Sequence, residues 1–349
     1  MPFWKTLKRS QETPKRGVAM REGHPFGAYP GAMNHTPLML SALATSAVQG
    51  FQAVSAQSLS TPERDAALVH DVNNVAWLIE IPLSDADALA HSDDLSATKA
   101  LTEGLRSRLP FQVPKVLGTT QVGARTLSVS AYLPGLPLTP QSVTPASAAS
   151  FGQTLAAIHA LPTSSMADFD RPVFSTLDAL RESAVVVDSA AATGLLPQSL
   201  LRRWETACED QGLWQCDAMA IHGQVQLGRF LTADHKVVAV DGWTRFSQGD
   251  PAQDMAWLTT PANSAFATAV TTAYQQQRPT ADRWIMHRAR FYAELDVARW
   301  LLHGVGLGNE TIVRDATDML AALNDRVAGD MDSALTARIS DSKHPITGV

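Results

Sequence analysis

Residues 221–258, IHGQVQLGRFLTADHKVVAVDGWTRFSQGDPAQDMAWL, bring His222, Gln224, Arg229, Asp241, Asp250 and Asp254 into one short stretch. Carboxylates in such a stretch can orient an attacking hydroxyl or hold a divalent cation. Two of the polar positions cannot serve in this way. The amide of Gln224 is neutral across the accessible pH range and is no base, and general-base help is worth ~10²–10⁴ in rate. The guanidinium of Arg229 stays charged and offers no lone pair to a hard cation that takes oxygen ligands.

The stretch resembles the catalytic segment of aminoglycoside phosphotransferases and choline-kinase-like enzymes, a pattern of V-H-G-D-x-x-x-x-N-L-L, a hairpin, I-D-W and G-D-P-x-x-D-L-A. His222 and Gly223 match one anchor, and Gly249, Asp250, Pro251, Ala252 and Asp254 match the other. The register between them puts Gln224 on the family's catalytic Asp and Arg229 on its metal-binding Asn. Counted without gaps, Gly242 falls on the second metal-binding Asp, and Asp241 stands one residue early. A one-residue slip in a strand turns a side chain to the opposite face, so Asp241 is a fallback metal ligand only if a bulge re-aims it. His222 is read as a brace for the loop backbone.

The amino-terminal half departs from the family in the same direction. ALVHDVNNVAWLIEIP, residues 67–82, alternates apolar and polar residues around Asn73-Asn74 and predicts a hairpin. By resemblance, its second strand carries the family's phosphate-gripping Lys or Arg, and Glu80 stands there. VSAQSLSTPERDA, just before it, contains no glycine for a phosphate cradle. Glu80 and Arg229 occupy positions that face each other in the family fold, which predicts an ion pair where metal and triphosphate would sit.

The elements that must position these residues follow along the chain. Residues 1–33 lack periodicity and read as a tail, residues 36–48 as a helix after a capping Thr, and residues 95–110 as the family's bridging helix, with Glu103 or a residue near Ala97 or Thr98 as the pairing position. Residues 113–140 supply two strands and the linker Tyr132-Leu133-Pro134-Gly135, where the family's adenine edge meets backbone. Residues 147–162 form an amphipathic helix whose His159 is a packing residue, and residues 163–215 a mostly helical insertion. Residues 280–328 carry two helical patterns broken by Gly304, Gly306 and Gly308; Trp284, Phe291, Tyr292 and Trp300 read as core, with Arg288, Arg290, Glu294, Asp296 and Arg299 on exposed or cleft-facing sides. The last twenty residues read as a loose tail.

The resemblance implies an α+β, two-lobed protein-kinase-like fold: a small antiparallel-sheet lobe with helices over 34–133 and a larger, mainly helical lobe over 134–330. With 45% hydrophobic and 18% charged residues the chain suits a globular protein, and its net charge of −6 argues against a nucleic-acid surface. Cys208 and Cys216 form no motif, and no apolar run approaches the ~20 residues of a membrane span, so the expectation is a cytoplasmic protein. The expected function is noncatalytic: a pseudokinase-like protein holding an unknown small molecule or protein partner, its cleft positions being Glu80, Tyr132, Leu133 and Arg229. This reading assigns no cofactor. The alternative is a divergent phosphotransferase using ATP or GTP with Mg²⁺ on a hydroxylated small molecule.

Overall fold

A computed structural model describes residues 35–164, 166–259, 264–279, 282–329 and 335, so nearly all of both expected tails lies outside the described residues. The described residues divide into two compact units, one of residues 35–140 with 227–245 and one of residues 141–226 with those described from 246 onward.

In the first unit, the Thr36 hydroxyl accepts from Met39 N and starts helix α1, Pro37–Ala44. The helix is shorter than the predicted 36–48 because the chain turns through 45–50 to Gly50 at φ +75°. Strands β1 (Ala53–Ser58), β2 (Arg64–Asp71), β3 (Ala76–Pro82), β4 (Val116–Val122) and β5 (Arg125–Ala131) form an antiparallel sheet in the order β1-β2-β3-β5-β4. The predicted hairpin is present: Asn74 takes φ 59°, and Asp71 Oδ1 accepts from Asn73 N and Val75 N at 2.8 and 2.9 Å. Val69, Ile79, Ile81, Leu127 and Val129 share a core with Leu40 and Ala44 of α1. Strand alternation therefore turns Glu80 to the face away from that core.

Helix α2 runs over Asp85–Ala100, not 95–110. Ser84 and Asp87 form a reciprocal capping box that fixes its start, and Leu101 leaves the helical region at ψ 70°. Glu103 opens a separate one-turn helix and pairs with Lys115 on the surface at 2.7 Å. β6 (Leu136–Pro137), β8 (Phe230–Ala233) and β9 (Lys236–Val240) make a three-stranded sheet that closes this unit. Gln112 ties β9 to the chain before β4, donating to Val238 O at 2.8 Å and accepting from Val240 N at 2.9 Å.

The second unit is mainly helical: α3 (Pro145–His159), α4 (Thr176–Ala192), α5 (Gln198–Glu209), α6 (Ser264–Gln277), α7 (Ile285–Gly306) and α8 (Glu310–Val327). A small β-sheet joins β7 (Met219–Ile221) to β10 (Ser247–Gly249). Gly152 lets α3 approach α6, since a Cβ there would lie 2.2 Å from Val270 O. Gly304 and Gly306 do not break α7. Gly304 instead admits Ile312 and Val313 of α8, and the turn comes at Gly308, φ +60°, before Asn309 caps α8. Trp284, Phe291, Tyr292 and Trp300 are core residues as predicted, whereas Arg288 and Glu294, expected on exposed or cleft-facing sides, are buried. Among the described residues no helix is long and apolar enough to cross a membrane.

Candidate functional site

The segment 221–258 is divided between the two units. In the second unit β7 ends at Ile221 and the loop His222-Gly223-Gln224 follows. Asp254, almost fully buried, braces it: Oδ2 accepts from His222 N and Oδ1 from Gly223 N, both at 2.8 Å. His159 Nε2 reaches Oδ2 at 3.1 Å, and His159 Nδ1 lies 2.9 Å from the Tyr274 hydroxyl. A carboxylate can only accept, so the His159 proton belongs on Nε2 and Nδ1 takes the tyrosine hydrogen. Burial pushes the Asp254 carboxyl up, but the His159 bond, the neighbouring imidazoles and the Gly223 N–H outweigh it, and the group is held below the ordinary carboxylate range. Burial pushes Tyr274 upward. Gln224 N donates to His222 Nδ1 at 3.3 Å, closing the turn.

Asp250 is likewise consumed by structure. Arg288 Nε and Nη2 grip its two oxygens at 2.7 and 3.0 Å, and Tyr292 donates at 2.9 Å. Ala252 N donates to Oδ1 at 2.9 Å, so four donors fill the acceptor positions of this carboxylate and leave none for a metal; Arg288 also bonds Leu213 O and Asp282.

In the first unit the ladder pairs Phe230 with Val240, which sets Arg229 opposite Asp241. Asp241 N donates to Arg229 O at 2.8 Å, and Arg229 Nη1 reaches Asp241 Oδ2 at 3.3 Å. Asp241 is thus aimed at Arg229. Gly242, at φ +79°, sits beneath the same side chain: a Cβ on it would lie 2.9 Å from Arg229 Cδ and Nε and 3.2 Å from Cζ. The guanidinium stem fills the space that any side chain at position 242 would need.

Glu80 does not pair with Arg229 as expected. Its partner is Arg64 of β2, at 3.0 Å. The register places Ala66 across from Glu80, so Arg64 shares its face as a diagonal neighbour and reaches it first. Burial, together with Asp241 and Asp94, pushes the Glu80 carboxyl up against the pull of Arg64 and Arg229. Asp94 of α2 accepts from the Thr244 hydroxyl. Two guanidinium groups, Arg64 and Arg229, thus face three carboxylates, Glu80, Asp94 and Asp241. Tyr132 follows β5 with its N–H on Ala76 O at 3.0 Å, and Leu133 follows it. Gly135 lets the linker lie against Thr232 and Val238.

Among the described residues no three His, Cys, Asp or Glu side chains converge to hold a metal ion. Sequence reasoning missed Arg64 and Asp94. The available signals were the strand alternation that puts Arg64 beside Glu80 and the Ser84-x-x-Asp87 box that starts α2 early.

The sequence profile of the phosphotransferase enzyme family designated APH matches residues 82–292. The chain belongs to this family. No curated protein matches the sequence significantly. Among solved structures, the macrolide 2′-phosphotransferase MphH apoenzyme from Brachybacterium faecium superposes with a TM-score of 0.66 at 18% identity, over 81% of this chain and 97% of that one. A type I macrolide 2′-phosphotransferase gives 0.61 at 21%, over 80% and 95%. The GDP and kanamycin complex of an APH(2″) enzyme gives 0.64 at 15%, over 84% and 99%. The chain has the α+β fold of these kinase-like phosphotransferases, built on an antiparallel five-stranded sheet and many helices.

The family resemblance implies Mg²⁺ at positions 229 and 242. The residues present do not fit it: Arg229 brings a fixed positive charge, Gly242 brings no donor, and the first fills the space above the second.

Proposed function

We propose that this chain is a phosphotransferase-family member that does not transfer phosphoryl groups and serves as a ligand-binding or regulatory protein. The observation that carries the reading is the Arg229 side chain lying over Gly242. A divalent ion beside that guanidinium would meet a fixed positive charge; at ~4 Å and an effective dielectric of ~20 the bare repulsion is about 8 kcal/mol, which solvent around the 39% exposed side chain and the Asp241 carboxylate reduce. Gln224 supplies no base, and Glu80 adds an anion where the resemblance implies a phosphate-gripping cation. Arg64 answers Glu80, so the charges on this face are spent on one another.

The test is a thermal-shift titration with ATP and with GTP, each with and without Mg²⁺. A ligand of low-micromolar affinity at a hundredfold excess would add ~2.7 kcal/mol to the native state and raise the melting point by several degrees. No metal-dependent shift is expected at millimolar nucleotide. A clear one would overturn the reading in favour of a divergent ATP- or GTP-dependent phosphotransferase that uses Asp241 for its metal.

A further inference from the structure

Helix α4, Thr176–Ala192, is covered on one side only. Thr176, Ala179, Ser183, Val187 and Ala190 are buried, and the helix packs on α5 and α7. The opposite side holds two branched apolar side chains in water: Leu177 is 51% and Val185 63% exposed. At ~100° per residue, Leu177, Arg181, Ala184, Val185, Asp188 and Ala192 share one stripe about 100° wide, with Arg181 and Asp188 along its middle. Ala184 is half-buried and the others are exposed. Arg181 keeps a contact of 3.4 Å with Asp178, whose other oxygen is held by the Ser175 N–H and hydroxyl at the helix start. Asp188 makes no hydrogen bond or ion pair among the described residues.

The order of residues along this stripe is self-complementary. Two copies of the helix laid antiparallel about a two-fold axis between residues 184 and 185 bring together positions equally far from the axis. Arg181 of each copy then stands opposite Asp188 of the other, so the charges form two symmetric ion pairs. Leu177 of each lies over Ala192 of the other, and the two Val185 side chains meet beside the axis, where Ala184 leaves room for the helices to approach. A parallel pair would set Arg181 on Arg181 and Asp188 on Asp188, and a shift of one turn would lose both ion pairs.

We propose that this face of α4 is the contact between two copies of the chain in a two-fold dimer. Such a contact needs a single patch that matches itself, and the stripe balances one cation against one anion, which suits its own copy better than a strongly charged partner. One helix face of about four turns lies at or below the ~1,200 Å² low end of specific interfaces, so the dimer is weak and forms over micromolar concentrations. The contact uses only residues of the second unit and goes beyond the ligand-binding reading without depending on it.

The test is sedimentation equilibrium of the full chain from ~5 to ~500 micromolar, in ~50 mM and ~500 mM salt. It is run beside Arg181→Asp, Asp188→Arg and the double exchange of both. The parent should dimerise reversibly, and more weakly in high salt. Each single exchange sets like charges against each other and should weaken the dimer at least tenfold. The double exchange restores both pairs and should recover it. An equimolar mixture of the two single variants should form a mixed dimer, since one then carries only anions along the middle of the stripe and the other only cations. Val185→Glu, which sets two anions beside the axis and leaves both ion pairs in place, is a second route to the monomer. The proposal is overturned if the parent stays monomeric throughout, which would leave the face to a different occupant. It is overturned equally if the single exchanges or Val185→Glu dimerise like the parent, or if the double exchange and the mixture both stay monomeric.

Discussion

Replacing Asp254 with Asn tests whether one carboxylate holds the His222-Gly223-Gln224 loop. The change keeps the size of the side chain and removes one of its two acceptors. Whichever way the amide turns, its NH₂ group meets a donor: Gly223 N in one orientation, His222 N and His159 Nε2 in the other. A buried donor without an acceptor costs ~1–3 kcal/mol, and the bonds that remain each lose about 1 kcal/mol of charge assistance. The expected loss is about 2–5 kcal/mol, read from the urea midpoint at pH 7 with an unchanged slope. The pH dependence is a second readout. Because the folded carboxyl lies below its unfolded value of about 3.9, its contribution is complete above that pH and is lost as pH falls through the folded value. The variant should therefore be less stable at neutral pH and show a shallower fall in acid. A loss below ~1 kcal/mol together with an unaltered acid profile would refute the bracing role.

Glu80→Gln is expected to act oppositely. The folded carboxyl titrates above its unfolded value, so the native protein gains protons first and its stability declines as pH rises from about 4.3 through the folded value; the variant should lack that decline and be at least as stable at pH 7, and a loss beyond ~1 kcal/mol there would show that the Arg64 pair outweighs burial. Gln224→Asp alone should produce no turnover against a panel of hydroxylated antibiotics with Mg-ATP or Mg-GTP, since Arg229 still lies over Gly242; robust phosphorylation in a coupled assay would refute the assignment of those positions.

The family and its fold were legible in short linear signatures. His222-Gly223, the Gly249-to-Asp254 element, the Asn73-Asn74 hairpin and the helix ending near His159 are set by local backbone needs and by alternation, which neighbours in sequence encode. The α2 helix was misplaced because its signal is a capping box followed by a weakly apolar run, in which 95–110 looks more periodic than 85–100. Gly304 misled for a related reason: inside a helix, glycine serves either to end it or to let another helix approach, and only the position of α8 decides which.

The sequence by itself determined which reactive side chains stand at the family's positions: Gln224, Arg229, Gly242 and Glu80. Their partners were decided by tertiary structure alone. Arg64 reaches Glu80 because two strands fix a diagonal contact, and Arg229 meets Asp241 because a hairpin register sets them opposite, pairings of residues 16 and 12 positions apart. Charge and shape are written residue by residue, but electrostatic partnership depends on distances of a few ångströms that only the folded chain defines.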